Sequence, residues 1–325
     1  MNRFCLIVVH FGQFNDYFDL WLESCGRNKD IDWLIVTDDI SSSDIAPHNV
    51  KFFEDTLEGF TIKVNQSLGV LPCIEKPYKL CDFRPAYGHI FSNIIEGYDF
   101  WGHCDTDLIF GDILGTLTIS REDIYNFDRI YIRGHLSFYR NTERMNTLYR
   151  KKVYGLDYAK IFSEPKHRAF DEWYGIWAIC KHQNIKMLRN DPAADLDPRY
   201  RALRLRYNGN YQYQVFGWVD GKVLRYFCRG KDKPVEVEEF NRIHFLKHPK
   251  SNPYGIRPGE SFLISYDKFI PFREPSSSGE IREINFISLR ERLCGLIRNL
   301  SYNILAFAWV SKWHISRRAF FNRWN

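Results

Sequence analysis

The chain reads as an α/β protein, a mixed sheet flanked by helices, with a C-terminal hairpin region and a helical basic tail. Three observations predict this. Phe4 to Val9 is a continuous apolar, partly β-branched run of the kind buried on both faces of a parallel sheet. A second such run, Trp33 to Val36, follows after one stretch of helical spacing. Further on, Asp220-Gly221 separates two strand-like segments, a two-residue hairpin signal.

Phe14, Phe18, Trp21, Leu22 and Cys25 trace a helix that stops near Gly26, so the chain opens with a βαβ unit. Ligands of such sheets bind outside the carboxyl ends of the strands. His10, Phe11, Gly12 and Gln13 therefore share one rim with Thr37, Asp38 and Asp39. The glycine pattern of a dinucleotide site is absent, which argues against a dehydrogenase. Val50 to Glu54 suits a third strand, and 56–72 a helix plus loop. Next, Asp82 is placed as an N-cap with Pro85 in the first turn. Phe83, Ala86, Tyr87, Ile90, Phe91, Ile94 and Ile95 would form the apolar face of a helix ending at Gly97. Lys79, Asp82 and Arg84 then lie at a helix N-terminus, which favours anions. Donor contact and capping or surface pairing both remain open for Asp82 and Arg84.

The chain then runs into Trp101-Gly102-His103-Cys104-Asp105-Thr106-Asp107. On a strand, Asp105 and Asp107 would project to the same side. Two carboxylates this close repel, and a cation beside them lets both stay ionised. A divalent ion there would offer open positions to phosphate oxygens, the chemistry of a nucleotide-sugar site.

Ile130 to Arg133 suits another strand, and Gly134 to Arg140, with His135, a loop over the donor. Asp171 and Glu172 sit between Phe170 and Trp173. Carboxyls in that company gain raised pKa values and can act as bases, although a helix N-terminus would also favour them. Arg199, Arg201, Arg204 and Arg206 make a basic stretch, read as a solvated face or an acceptor patch. Val235 to Phe245 adds a strand leading to His244 and Lys247. A lone histidine is more often structural, but His244 becomes a candidate third ligand once an acid pair is present.

The 325 residues carry a net charge of +5, which permits phosphate-bearing ligands or an anionic membrane but does not imply nucleic acid. Aromatic residues make up 17%, and rings both fill cores and stack on sugars. None of the eight cysteines forms a C-x-x-C pair, so reduced thiols are expected rather than disulfides or zinc. The N-terminus lacks an export signal and no stretch reaches a membrane-span length, so a cytoplasmic protein is expected. Residues 1–270 read as the main domain and 271–288, with Pro275-Ser276-Ser277-Ser278-Gly279, as a linker. Residues 289–325 read as a basic amphipathic helical tail rich in tryptophan. That composition suits the inner face of an anionic membrane; packing back on the domain is the alternative.

With Asp105-Thr106-Asp107 after a strand and His244 late in the domain, the chain resembles GT-A-fold glycosyltransferases. More narrowly, the blocks Lys76 to Gly88, Trp101 to Asp107 and Gly111-Asp112-Ile113 resemble an uncharacterised bacterial family found among capsule and surface-polysaccharide genes. A fainter similarity runs to enzymes with a D-x-x-R helix and to glycogenin-like enzymes. Asp82 to Arg84 is one residue shorter than D-x-x-R, and Phe245-Leu246-Lys247-His248-Pro249 replaces the late glycine and K-P-W. The resemblance implies Mn²⁺ or Mg²⁺ on Asp105, Asp107 and His244. It also implies a nucleoside-diphosphate sugar, UDP-linked first, contacted by His10, Phe11, Gly12, Asp38, Asp105 and Lys247, and a glycan or lipid-linked glycan acceptor. Asp171 or Glu172 would supply the base of an inverting reaction. Two other classes compete. A D-x-D phosphohydrolase wants Thr or Val two residues after the second acid, where this chain has Ile109. A non-catalytic glycan-binding module would not need the acid pair.

Overall fold

A computed structural model describes residues 3–285 except 199, 201, 202, 208, 247 and 249. The basic tail expected over 289–325 and Lys247 lie outside the described residues, as do Arg199 and Arg201.

The main sheet has seven strands: β1 (Phe4–Val9), β2 (Ile31–Thr37), β3 (Val50–Glu54), β4 (Phe100–Cys104), β6 (Arg129–Arg133), β7 (Leu136–Arg140) and β8 (Met187–Leu188), with β5 (Leu108–Phe110) lying outside it. Their order is β3-β2-β1-β4-β7-β6-β8. β1 to β4 are mutually parallel, β7 runs antiparallel to both neighbours, and β8 pairs parallel with β6. This is the mixed α/β sheet flanked by helices that the sequence predicts. β1 and β2 are almost wholly buried because apolar layers cover both faces. One layer holds Trp21, Trp33 and Phe110 with helix α1 (Phe18–Gly26); the other holds Phe60, Phe83 and Trp101 with helix α2 (Leu57–Leu68).

Two expectations are corrected here. Instead of one helix over 83–97, Pro77–Ala86 is a 3₁₀ segment followed by the single turn α3 (Tyr87–Ile90). Pro77 opens it and Pro85 sits inside it, where the missing N–H and the ring disfavour a regular α-helix. The stretch from Gly134 to Arg140 is not a loop. Leu136, Phe138 and their neighbours pair with β4 as strand β7, leaving only Gly134 and His135 in a turn.

Short helices α4 (Glu143–Asn146), α5 (Tyr158–Ser163) and α6 (Ile176–His182) pack beside the sheet. A second, five-stranded antiparallel sheet follows the order β12-β11-β10-β14-β15. It comprises β10 (Tyr213–Val219), β11 (Lys222–Cys228), β12 (Glu236–Phe240), β14 (Phe262–Ile264) and β15 (Phe269–Pro271). Asp220 and Gly221, at φ 49° and 86°, turn β10 into β11 as expected. Within the stretch read as a linker, Ser277 caps a further helix, α7 (Ser278–Ile284), whose Ile281 packs under this sheet.

The third sheet positions the site. It is small, β5-β13-β9, formed with β9 (Ala193–Asp195) and β13 (Arg242–His244). β13 pairs antiparallel with β5 and parallel with β9, which places His244 opposite both Leu108 and Asp195.

Candidate active site

Asp105 and Asp107 are not on a strand. β4 ends at Cys104, and the acids occupy the turn through which the chain leaves the main sheet for β5. The turn is pinned from both sides: the Asp105 amide donates to the His135 carbonyl at 3.1 Å, and the Phe245 amide to the Asp107 carbonyl at 2.9 Å. The carboxylates still converge. Nε2 of His244 lies 3.4 Å from Asp107 Oδ1 and 3.6 Å from Asp105 Oδ2. One ligand atom from each of the three residues fits within 4.8 Å of the others.

These residues face a cavity of about 340 Å³ at the carboxyl ends of β1 and β4. His10, Phe11, Arg84, His135, Asp171 and Glu172 line it too. Ala169 and Leu246, also on its wall, hold φ near +50°, a costly backbone conformation for these residues that clusters at functional sites. Gly12 and Asp38 line a neighbouring hollow with Phe14, Asp39 and Ser41. There the Gly12 amide donates to Asp38 Oδ1 at 2.7 Å, so the two rims do meet.

Arg84 bridges two acids. One guanidinium nitrogen contacts Asp105, and the other lies 2.9 Å from Asp171 Oδ2 and donates to the Gly134 carbonyl. Burial pushes the Asp105 carboxyl up, Arg84 opposes this, and the charge of Asp107 reinforces it. Burial likewise lifts Asp171 to about 8 against the pull of Arg84, and raises Glu172. Asp171 and Glu172 precede α6 and are not in its first turn; they belong to the cavity wall.

Burial alone would depress His244, but the carboxylates of Asp107 and Asp195 outweigh it and hold the imidazole at about 10. Its Nε2 is buried and has no hydrogen-bond partner. A buried imidazole nitrogen between two carboxylates directs one nitrogen and two oxygen donors at one point, so the donor set fits a divalent metal.

Lys79 and Asp82 were expected at the donor, and neither reaches the cavity. Both are buried. Lys79 Nζ binds Asp82 at 2.9 Å and the carbonyls of Ile161 and Lys166, while Asp82 accepts the amides of Arg168 and Phe170. Asp82 is thus no helix cap; it fastens the 166–170 loop that leads into Asp171.

Asp195 was missed. It accepts from His244 Nδ1 at 2.8 Å, and nothing in the run Asn190-Asp191-Pro192-Ala193-Ala194-Asp195 distinguishes it from a surface acid. His135, Asp195 and His244 also cluster, but three guanidiniums oppose a cation there. Arg133 and Arg206 stand 3.6 and 3.8 Å from Asp195, and Arg242 Nε donates to His135 Nδ1 at 3.1 Å. All seven described cysteines are free, five of them buried. No described helix is long and apolar enough to cross a membrane.

No curated protein matches the chain by sequence. Among solved structures, mouse xyloside xylosyltransferase 1 in its apo form is similar at 7% identity and TM-score 0.37, over 64% of this chain and 95% of that one. The apo form of the glycosyltransferase GlyE from Streptococcus pneumoniae is similar at 13% identity and TM-score 0.33, over 59% of this chain and 46% of that one. One family model matches residues 6–273, and the chain belongs to that family, the family of unknown function DUF6625.

Proposed function

We propose that the chain is a metal-dependent glycosyltransferase that moves a sugar from a nucleoside diphosphate, UDP first, onto a glycan acceptor in surface or capsular polysaccharide assembly. One observation carries this reading: Asp105, Asp107 and the orphan Nε2 of His244 converge on one point of a cleft at the strands' carboxyl ends. The mixed α/β sheet and the motif blocks of the sequence agree with it.

Asp105, Asp107 and His244 would hold the ion. An imidazole among the donors favours Mn²⁺ over Mg²⁺, which prefers oxygen alone. When bound, the ion draws off charge that builds on the departing diphosphate. The protein's own groups do the rest. Arg84 holds Asp105 against the burial that raises its pKa. His10, Phe11, Gly12 and Asp38 would receive the nucleoside, and Lys247 would meet the diphosphate. Asp171 or Glu172, both raised by burial, would take the proton of the acceptor hydroxyl in an inverting reaction. In this reading 1–270 is the transferase and the 289–325 tail rests on an anionic membrane.

A thermal-shift screen of UDP-, GDP-, CMP- and dTDP-sugars with Mn²⁺, followed by donor hydrolysis with and without the ion, tests the proposal. Mn²⁺-dependent stabilisation and turnover by one nucleotide class are expected. Absence of both would reduce the cleft to a binding module or less.

A further inference from the structure

We infer that Asp195 is the positioning residue that makes His244 a metal ligand; the inference rests on the metal-dependent reading above. His244 and Asp195 are register partners on the parallel strands β13 and β9, and their side chains meet at 2.8 Å. A carboxylate only accepts, so Nδ1 carries a ring hydrogen, and in the neutral ring that binds a metal the lone pair falls to Nε2. Nε2 is the nitrogen aimed between Asp105 and Asp107.

Asp195 is kept from being a ligand itself. It is 3% exposed, and its other oxygen faces Arg133 and Arg206. That leaves Oδ1 of Asp195 to face Nδ1 of His244. One face of the His244 ring is covered by His135, whose ring centroid lies 4.2 Å away at an interplanar angle of 25°. Arg242 donates to Nδ1 of His135, which leaves that ring's hydrogen on Nε2. Asp191 in turn grips Arg242 with two contacts of 2.8 Å. The His244 ring is thereby fixed at its edge by Asp195 and at its face by His135. Partners of this kind raise the basicity and fix the tautomer of a ligating histidine.

The test uses the full chain with Mn²⁺ and UDP as probes. Free Mn²⁺ is followed by electron paramagnetic resonance, and imidazole coordination by the ¹⁴N coupling in pulsed spectra. Wild type is expected to bind and to show the coupling, and His244→Ala to lose it. Asp195→Asn, isosteric and still able to accept, is expected to weaken Mn²⁺ about tenfold. Asp195→Ala is expected to weaken it about 100-fold, with the coupling reduced or gone. Melting curves establish that each variant is folded, and the asparagine variant serves if the alanine variant is not. Wild-type affinity and coupling in Asp195→Asn overturn the inference alone. Binding by wild type without any ¹⁴N coupling overturns it as well. No Mn²⁺ binding by wild type overturns the metal reading and this inference together.

Discussion

Nε2 of His244 stands 3.4 Å from Oδ1 of Asp107, held there by the three-stranded sheet β5-β13-β9 together with the pinned turn that precedes β5. If the pair binds a cation, removing either partner should abolish metal-dependent turnover with the fold intact. Asp107→Ala and His244→Ala are each expected to lose at least about 100-fold in kcat, more than loss of an outer partner of a ligand. Steady-state donor hydrolysis across a Mn²⁺ titration, beside a melting curve, checks this. Near-normal turnover by either variant would remove that residue from the ligand set.

Asp171 makes stability depend on pH in a predictable sense. Its pKa is raised to about 8 in the folded chain, above the value of about 3.9 usual for a free carboxyl. Between those values the folded state binds more protons than the unfolded one, so stability falls as pH rises from about 4 to about 8. Asp171→Asn removes that part of the slope. Urea denaturation at pH 5 and pH 8 should show a smaller loss for the variant than for wild type. Equal losses would mean that Asp171 is ionised in the folded protein already at the lower pH.

Gly134 lies against the two candidate bases. A methyl group there would come 2.5 Å from Glu172 Oε1 and 3.0 Å from Asp171 Oδ2. The far end of a glutamate can swing aside, so Gly134→Ala should fold while moving the carboxylate. A displacement of about 1 Å can cost about 100-fold in rate. Transfer to acceptor should fall by that order, with the melting temperature within a few degrees of wild type. Unchanged transfer would free Glu172 from any role in proton removal.

Lys79 and Asp82 form a buried ion pair, with side chains 1% and 0% exposed. Asp82→Ala leaves the Lys79 ammonium uncompensated and the amides of Arg168 and Phe170 without an acceptor. A loss of about 3–5 kcal/mol is expected by denaturant titration. Lys79→Met combined with Asp82→Leu should lose less than Asp82→Ala alone, because no unpaired charge remains. The reverse order would mean that the amides, not the charge, govern the site.

Much of this was legible in the sequence, for identifiable reasons. Phe4 to Val9 and Trp33 to Val36 announced buried parallel strands because nothing polar interrupts them, and Asp220-Gly221 announced its hairpin through backbone conformation. Asp105 and Asp107 stood out by proximity alone. The 3₁₀ segment over Pro77–Ala86 was concealed because its apolar residues also satisfy helical spacing, and only the interior Pro85 spoke against that. Asp82 and Lys79 looked like site residues because charge beside a proposed helix end suggests anions, yet their partners come from the distant loop ending in Phe170. Asp195 gave no local sign, since its role depends on the pairing of β9 with β13. Such pairing is a long-range choice that spacing does not encode.

The sheet β5-β13-β9 draws strands from near residues 109, 194 and 243 into one register. During synthesis, a chain that has emerged only as far as β12 already holds the acid pair and the whole seven-stranded sheet. It still lacks the histidine that would complete the pocket. On the metal-dependent reading, competence to capture an ion would wait until β13 has emerged, and fragments that end before it should be blind to the ion.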